Sequence, residues 1–388
     1  MSLLHRAFRA NETAVHELNY LFWECTTRCN LHCRHCGSDC AAASADKDMP
    51  LEDFLRAFDT IPEKERAKPF TVVLTGGEPL LRPDIAEAGQ ALRQRGVGWG
   101  MVSNGWFYDE AAHRRLMAAG MGALTISLDG LEDTHDWMRG RPGSWQRARR
   151  AIALAAVEPK LQFDVVTCVN KRNFAQLETI YAELQKLGVR QWRIFTVIPI
   201  GRAADDPELQ LTDEQFGALM RFIAEKRKGI RRSESANDGR RSANDGKARL
   251  ADDEQPSFAG LTSESPMRVA FSCEGYLGPW DRRVRDNPHF CHAGINIASV
   301  LIDGRISACP NIDRDRFSQG NIYSDSLWEV WQRRFQPFRD RRWTRTGPCA
   351  QCRAWRDCLG GGLHLWHGDC EGPLVCHYAK LSCTGARK

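Results

Sequence analysis

Short apolar runs alternate with amphipathic segments through the first half of the chain. The apolar runs, rich in β-branched and aromatic residues, lie at 18–25, 70–74, 99–103, 123–128, 163–169 and 192–198. Amphipathic segments lie between them at 83–95, 110–119, 145–157 and 174–187. Short apolar strands that are each followed by a helix are typical of a parallel sheet covered by helices. The pattern therefore predicts an α/β fold of six βα units, open or curled into a partial (β/α)6 TIM-like barrel.

The composition changes after the sixth unit. Residues 229–265 are polar, poor in large apolar side chains, and contain a short duplication, SANDGR followed by SANDGK, so we expect a flexible linker or surface insertion. Beyond them Trp, Arg, Gly and Cys become frequent, and helical periodicity is confined to 326–335. The sequence thus predicts an N-terminal extension (1–17), a barrel (18–228), the linker, and a metal-stapled C-terminal domain (266–388).

Charge and hydropathy argue against two classes of protein. The 54 basic and 49 acidic residues give a net charge of only +5, spread along the chain, which does not favour nucleic-acid binding. No apolar run approaches the ~18 residues of a membrane span. The N-terminal segment lacks the apolar core and cleavage site of a signal peptide. We therefore expect a cytoplasmic protein without a membrane span.

The fifteen cysteines are unevenly placed. Five lie between Cys25 and Cys40, nine lie between Cys273 and Cys383, and Cys168 stands alone in the middle. An odd number of thiols in a reducing compartment does not make a disulfide framework, whereas clustered thiols indicate metal binding. Cys25 and Cys40 are interpreted as structural, because buried cysteine commonly behaves as a small apolar side chain.

A polar motif follows each of the six predicted strands. In chain order the motifs lie at 29–36, 75–79, 103–105, 127–130, 168–170 and 199–202. Because the carboxyl ends of parallel barrel strands share one face, we expect the six motifs to converge on one pocket.

The first motif is Cys29, three residues, Cys33, two residues, Cys36. Three thiolates can hold three corners of a 4Fe-4S cluster that normally takes four, so one iron is left open for a ligand that chelates through an amine and a carboxylate. The alternative is a zinc knuckle in which His32 or His35 supplies the fourth ligand.

Together with GGEP after the second strand and SLDG followed by HDWMRGRPGSW, this motif resembles the radical S-adenosylmethionine (SAM) superfamily over about residues 18–203. The resemblance implies that the three cysteines hold the cluster and that SAM occupies the fourth iron. It also implies that an electron cleaves SAM into methionine and a 5'-deoxyadenosyl radical, which takes a hydrogen from the substrate.

The resemblance further implies a set of SAM contacts: His35, Gly76, Gly77, Glu78, Pro79, Asn104, Ser127, Asp129 and Arg139. The two glycines would let the backbone approach the methionine amine, Glu78 would accept from it, and Pro79 would fix the strand exit. Ser127 and Arg139 match positions that hold the carboxylate and ribose. Asn104 and Asp129 would contact other polar groups of SAM, and His35 would stack on adenine. For Gly76 and Asn104, ordinary turn chemistry is the alternative.

The C-terminal cysteines resemble the SPASM extension of radical SAM enzymes that mature peptides and proteins. Its pattern reads Cys291, twelve residues, Gly304, four residues, Cys309, with a hairpin predicted at 297–308. The pattern continues with Cys349 and Cys352 and then departs from the family, because Gly362 stands where a cysteine is expected. The ligand sets that the resemblance implies are Cys349, Cys352, Cys358 and Cys376 for one auxiliary cluster, and Cys273, Cys291 and Cys309 for the other, with Cys370, another residue or an open site as its fourth ligand. Cys370 as a free thiol and a zinc ribbon at Cys349 and Cys352 are the alternatives.

The resemblance implies three 4Fe-4S clusters, one SAM-binding and two auxiliary, a flavodoxin- or ferredoxin-type electron donor, and a peptide or protein substrate that is oxidised or cross-linked. The phrases WECTTRCNLHCRHCGSDC and GGGLHLW are similar to a SPASM branch whose genes accompany small lipoproteins. The alternatives are a radical SAM dehydrogenase of a small alcohol or sugar, and a zinc-binding protein without catalytic turnover.

Overall fold

The computed structural model describes residues 3–42, 47–238, 267–273 and 275–383. Each of the six predicted strands is present, with ends shifted by at most two residues. The strands are β1 (Tyr20–Thr26), β2 (Thr71–Gly76), β3 (Gly98–Ser103), β4 (Ala123–Ser127), β5 (Gln162–Val169) and β6 (Gln191–Thr196). The predicted α/β class is confirmed.

Helices precede, separate and follow these strands. They are α1 (Leu3–Val15), α2 (Leu51–Phe58), α3 (Glu63–Arg66), α4 (Ile85–Gln94), α5 (Glu110–Ala118), α6 (Glu132–Arg139), α7 (Ser144–Ala156), α8 (Leu177–Lys186) and α9 (Asp213–Asp238). Short 3-10 helices lie at Pro79–Leu81, Phe174–Gln176, Gly201–Ala203 and Pro207–Leu209. In the described parts of the chain, no helix is long and apolar enough to cross a membrane.

The C-terminal region consists of short elements. Its strands are β7 (Arg268–Phe271), β8 (Ile297–Val300), β9 (Arg305–Ser307) and β10 (Gly320–Asn321). Its helices are α10 (Asp281–Val284), α11 (Arg314–Phe317), α12 (Leu327–Arg334), α13 (Gln336–Arg339), α14 (Trp355–Cys358) and α15 (His377–Cys383). Further 3-10 helices lie at Gly278–Trp280, Arg342–Thr344, Gly347–Cys349 and Leu363–Leu365. The antiparallel pairing of β8 with β9 confirms the predicted hairpin.

All ten strands belong to one sheet in the order β10-β9-β8-β1-β2-β3-β4-β5-β6-β7. Strands β1 to β7 are parallel to their neighbours, and β8 pairs parallel with β1, with Trp23 opposite Val300. The C-terminal region therefore supplies the neighbours of both outer barrel strands, β7 beside β6 and β8 beside β1.

The two faces of the sheet are packed differently. On β4 and β6, Leu124, Ile126, Trp192 and Ile194 are buried at 1% exposure or less beneath the helices. The residues that alternate with them, including Arg193, are half-buried on the opposite face. Because successive strand residues point to opposite sides, this alternation distinguishes a helix-covered outer face from a partly open inner face.

The segment after the barrel is helical further than the sequence suggested. The barrel was expected to end near Lys228, but α9 continues to Asp238 and so includes the first ten residues of the predicted linker. Residues 239–266, the rest of that linker, lie outside the described residues. The domain boundaries stay predictions.

The N-terminal extension is the helix α1, and it docks on the C-terminal region. Arg9 is 6% exposed, and its guanidinium donates to the backbone carbonyls of Asp357 at 2.6 Å and Arg356 at 3.1 Å. Arg6 donates to the Asp357 carboxylate at 2.7 Å. Helix α1 thus contacts the backbone immediately before Cys358.

Candidate active site

The three cysteines of the first motif lie together in the loop that follows β1. Cys29 and Cys33 are 8% and 9% exposed and pack with Leu31 and Cys40, while Cys36 is half-buried against them. Burial, together with the negative charge that Cys33 and Cys36 would carry, raises the pKa of Cys29 to about 11. Three thiols this close together favour a shared cation, because a bound metal would replace their protons.

The loop is held by backbone contacts from two later elements. At the end of α6, the carbonyls of Arg139 and Met138 accept from the amides of His32 at 3.1 Å and Arg34 at 2.9 Å. From the exit of β6, the amide of Arg202 donates to the carbonyl of Cys36 at 3.1 Å. The loop therefore has a fixed backbone path before any metal binds.

Two glycines make these close approaches feasible. Gly140 has φ +67°, and a Cβ there would lie 2.5 Å from the carbonyl oxygen of His32. A Cβ on Gly201, with φ +54°, would lie 2.5 Å from the carbonyl oxygen of Cys36. Sequence reasoning gave neither glycine this role, although both stand inside motifs it quoted.

Gly76 and Gly77 pack against the exit of β1. Cβ atoms on them would lie 1.9 Å from the Thr26 carbonyl oxygen and 2.2 Å from that of Arg28. Gly77 also donates its amide to the Thr26 carbonyl at 2.8 Å. The requirement for glycine thus comes from the backbone that leads into the cysteine loop, a reason different from the approach to SAM expected from the sequence. Contact of these residues with SAM stays a prediction.

Glu78 is fully buried, and its carboxylate orients the end of β3. One oxygen accepts from Ser103 Oγ at 2.9 Å and from the Leu80 amide at 3.2 Å, and the other accepts from the Asn104 amide at 2.7 Å. Burial raises the pKa of Glu78 to about 7. Pro79 begins the 3-10 helix that follows. Because both oxygens already accept hydrogen bonds, the expected contact of Glu78 with the methionine amine remains a prediction.

Asn104 connects β3 to the cysteine loop. Its Nδ2 donates to Asn30 Oδ1 at 2.9 Å and lies 3.9 Å from Cys29 Sγ. Its Oδ1 accepts from the Trp106 amide at 2.9 Å, which is ordinary turn chemistry. The side chain therefore supports the turn and contacts the first cysteine at the same time.

Asp129 and Arg139 form a buried ion pair beside Cys33. Arg139 Nη2 lies 2.5 Å from Asp129 Oδ2, and Arg139 Nη1 lies 3.6 Å from Cys33 Sγ. Burial opposes ionisation of Asp129, but the guanidinium outweighs it and holds the pKa of Asp129 below its usual value. The Arg139 guanidinium is thus held beside the cysteine loop, and the Asp129 carboxylate balances its buried charge.

His35 and Cys168 complete this group. His35 Nε2 lies 3.8 Å from Asp129 Oδ2, and the Cys168 amide donates to Asp129 Oδ1 at 2.7 Å. The ligand atoms of His35, Asp129 and Cys168 all lie within 4.8 Å of one another. Burial lowers the pKa of His35 to about 4, so its ring is neutral near pH 7. Cys168 was noted only as part of a strand-end motif, and its contact with Asp129 was not foreseen.

Ser127 ends β4 on the inner face, opposite Val166 and two residues before Asp129. All six predicted strand-end motifs thus meet through side-chain or backbone contacts, as the parallel fold required. Four buried polar atoms at this place, His35 Nδ1, Asp129 Oδ2, His135 Nε2 and Arg139 Nε, have no hydrogen-bond partner among the described residues. Buried polar atoms are almost always satisfied, so the arrangement fits a polar ligand such as SAM.

Four C-terminal cysteines surround a second small cavity. The cavity, about 60 Å³ in volume, is lined by Cys349, Cys352, Cys358 and Cys376. Burial, with the charges of the other sulfurs, raises the pKa of Cys349 to about 11 and that of Cys358 to about 12. These are the four residues that the SPASM resemblance grouped together, and four converging thiols fit a closed cluster site.

Cys273 lies close to two histidines of the C-terminal region, and one of these contacts the end of a barrel strand. Its Sγ is 3.5 Å from His364 Nε2 and 3.8 Å from His377 Nε2, and the latter atom is 3.3 Å from Thr196 Oγ1 at the end of β6. Sequence reasoning assigned neither histidine a place. His364 stands two residues after Gly362, where the family pattern has its missing cysteine.

The other ligands proposed for the first auxiliary cluster are scattered along this region. Cys291 is buried and Cys309 is half-buried, on either side of the β8–β9 hairpin, while Cys370 is exposed. The ligand set Cys273, Cys291 and Cys309, with Cys370, another residue or an open site as the fourth ligand, therefore stays a prediction.

Comparison with protein families agrees with this geometry. A model of the radical SAM superfamily matches residues 23–184, and a model of the iron-sulfur cluster-binding SPASM domain matches residues 291–353. The chain belongs to the radical SAM superfamily. Within that superfamily it is an enzyme with a SPASM domain, and it binds SAM and iron-sulfur clusters. This membership contradicts the alternative of a zinc-binding protein without turnover.

Individual relatives cover most of the chain. An AdoMet-dependent heme synthase of Nitratidesulfovibrio vulgaris is 24% identical over 372 residues, 94% of both chains. The mycofactocin maturase MftC of Mycobacterium ulcerans is 28% identical over 88% of this chain and 82% of its own. A structure of anSMEcpe with bound AdoMet and the Cp18Cys peptide is 18% identical, with TM-score 0.63 and coverage of 94% of both chains. The last similarity concerns the fold alone.

Proposed function

We propose that this protein cleaves SAM reductively and removes a hydrogen atom from a peptide or protein substrate, leaving an oxidised or cross-linked side chain. The observation that carries the proposal is the grouping of Cys29, Cys33 and Cys36 beside the Arg139–Asp129 pair. Three thiol ligands next to buried, unsatisfied polar atoms fit an open-iron cluster with a bound sulfonium compound.

Each residue of the site has a defined part in the proposal. Cys29, Cys33 and Cys36 would hold the cluster, which together with SAM supplies a 5'-deoxyadenosyl radical. Arg139 holds positive charge against Cys33 and would offer its Nε to the carboxylate of SAM. His35, neutral near pH 7, would present an uncharged ring to adenine. Gly76, Gly77, Glu78, Pro79, Asn104, Ser127 and Asp129 would shape the pocket around them.

The C-terminal cysteines would hold the auxiliary clusters. Cys349, Cys352, Cys358 and Cys376 already line one cavity and would form a closed site. Cys273, Cys291 and Cys309 would serve the other, with its fourth position open or taken by another residue. These clusters would accept the electron left on the substrate, and a flavodoxin- or ferredoxin-type protein would supply the electron that starts the reaction.

Two similar proteins support a peptide substrate. MftC is called a maturase, and anSMEcpe has been solved with a peptide. A second candidate is a tetrapyrrole substrate, since the heme synthase covers 94% of this chain and an Fe-coproporphyrin III synthase of Methanosarcina barkeri is also a relative, over 53% of this chain. A small alcohol or sugar is the third candidate, without a supporting relative among these.

Deuterium transfer separates these candidates. The reconstituted full chain is reduced anaerobically with SAM and offered either perdeuterated peptides encoded beside its gene or deuterated iron-coproporphyrin III. We expect deuterium in 5'-deoxyadenosine with the peptides. Transfer from the porphyrin alone would replace the peptide reading by the tetrapyrrole one, and absence of 5'-deoxyadenosine with every substrate would overturn the whole proposal.

A further inference from the structure

The inner face of the barrel sheet is less tightly packed than the outer face. Arg193 and Thr125 on this face are half-buried, whereas Trp192 and Ile194 on the outer face are fully buried. In a closed TIM barrel the inward side chains interdigitate in layers and fill the interior. The half-exposed inner residues therefore line a space that other molecules can reach.

A charged group lies on this face. Arg193 Nε donates to Asp164 Oδ2, Arg193 Nη2 donates to Thr125 Oγ1 at 3.1 Å, and Thr125 Oγ1 donates to Asp164 Oδ1 at 2.5 Å. Arg193 Nη1 has no hydrogen-bond partner in the part of the chain that the structure describes. The Arg193 side chain is 32% exposed, against 11% for Asp164. One edge of the guanidinium is thus fixed, and the other faces the open space.

Aromatic side chains flank this group. The Phe195 ring centroid lies 5.8 Å from Arg193 Cζ, and the rings of Tyr20 and Phe22 meet edge to face at 5.0 Å. Burial raises the pKa of Tyr20 to about 12, so the phenol adds no charge. Arg193 is thus paired with Asp164 and otherwise surrounded by apolar and neutral side chains, and in a specificity pocket a few polar groups of this kind fix the ligand.

The group is within reach of the reaction centre. Arg193 pairs with Val166 on β5, two residues before Cys168, which contacts Asp129. Two strand residues correspond to roughly 7 Å. A substrate held at Arg193 would therefore extend directly to the carboxyl ends of the strands.

We propose that Arg193, oriented by Asp164 and Thr125, binds a carboxylate of the substrate and positions it below the SAM site. The inference rests on the proposed function, because it assigns a subsite to the substrate of that reaction. A planar carboxylate matches the free guanidinium edge with paired, charge-assisted hydrogen bonds. A peptide would supply a side-chain or C-terminal carboxylate, and a coproporphyrin would supply a propionate.

Binding to the reconstituted full chain tests the subsite without turnover. The probes are random peptides with free carboxylates, the same peptides amidated at every carboxyl group, iron-coproporphyrin III, and its tetramethyl ester. Each carboxylate probe is compared with its neutral derivative. In one of the two pairs we expect the wild-type protein to bind the carboxylate probe about tenfold or more tightly. Arg193→Gln should abolish the preference and Arg193→Lys should keep part of it, whereas Arg114→Gln, the same change on the exposed face of α5, should leave it intact.

Asp164→Asn distinguishes recognition from a merely structural role. Removing the anion beside the guanidinium should leave carboxylate binding unchanged or tighter if Arg193 receives the substrate. If Arg193, Asp164 and Thr125 only support the fold, Asp164→Asn should weaken binding of the carboxylate probe and of the neutral probe equally. Arg193→Gln should then do the same. Iron content and thermal midpoint monitor folding of each variant.

The outcomes separate this inference from the proposed function. Preference for carboxylate peptides supports both. If only the porphyrin pair shows tighter binding of the carboxylate form, the subsite is supported and the proposal of a peptide substrate is rejected. Equal binding of charged and neutral probes, no binding of any probe, or an unchanged preference in Arg193→Gln overturns the subsite, whatever deuterium transfer shows.

Discussion

The cysteine loop of the barrel and the four-cysteine cavity of the C-terminal region are held in different ways. The loop between β1 and α2 is fixed by backbone hydrogen bonds from α6 and from the exit of β6. The four cysteines of the cavity stand on 3-10 turns, the one-turn helix α14 and connecting segments. A scaffold that fixes three ligands can leave one metal corner free for a substrate. The cavity is held by local turns and by Arg9 of α1, and we expect a cluster bound by all four cysteines to add order there.

Cys33→Ala should produce the largest change in activity and little change in fold. We expect 5'-deoxyadenosine formation to fall by more than about 100-fold. Mutation of a residue that only supports a metal ligand costs up to about 100-fold, and loss of a ligand should cost more. The thermal midpoint should stay near that of the wild type, because the loop backbone remains bonded to α6 and β6. Cys25→Ala, a buried cysteine of the outer-face core, is the control and should keep its iron.

Cys358→Ala should show the opposite pattern in the C-terminal region. We expect the loss of about four irons per chain from the total of roughly twelve implied by three 4Fe-4S clusters. Amide exchange at 347–376 should accelerate, because the metal orders these turns. Cys25→Ala, a buried cysteine outside every proposed cluster site, should keep both the iron and the protection. Unchanged exchange in Cys358→Ala would contradict the contrast between the two sites.

Arg139→Gln should destabilise the barrel site through Asp129. Removal of one partner leaves a buried carboxylate uncompensated, at a cost of about 3–5 kcal/mol in the free energy of unfolding. The double variant with Asp129→Asn should regain most of this loss. Arg150→Gln breaks an exposed pair with Glu110 and should cost less than about 1 kcal/mol. Equal urea midpoints for Arg139→Gln and Arg150→Gln would show that the pair carries no buried charge.

Glu78 should make the barrel weaken as the pH rises. Its pKa is raised from 4.5 to about 7 by burial, so the native protein keeps a proton that the unfolded chain loses between these values. The resulting stabilisation is present below pH 4.5 and is lost as the pH rises through 7, by up to about 3 kcal/mol. Urea unfolding at pH 5 to 8 should show this slope in the wild type, and Glu78→Gln should flatten it.

The barrel could be predicted from the sequence because the signals for its strands and helices are local. Strand length, β-branched content and the glycines after β2 are read within a few residues of one another, and parallel pairing then brings the strand ends together. For the same reason the three-cysteine motif and the pairing of β8 with β9 could be predicted. The extension of α9 was missed because a polar composition can form a helix that packs little.

The contacts that were missed are nonlocal. Cys273 meets His364 and His377 across 91 and 104 residues, and Arg139 reaches Cys33 across 106. Nothing in a single sequence marks such pairs. The roles of Gly140 and Gly201 were hidden because their close approach is to the backbone of a distant loop, which depends on tertiary packing.

The placement of β7 and β8 bears on how the molecule can be divided. A fragment that stops after α9 would leave β6 and β1 with unpaired amide and carbonyl groups along two long parallel borders, and such borders invite association with other chains. We therefore expect the barrel and the C-terminal region to fold together, and a fragment that ends after α9 to aggregate.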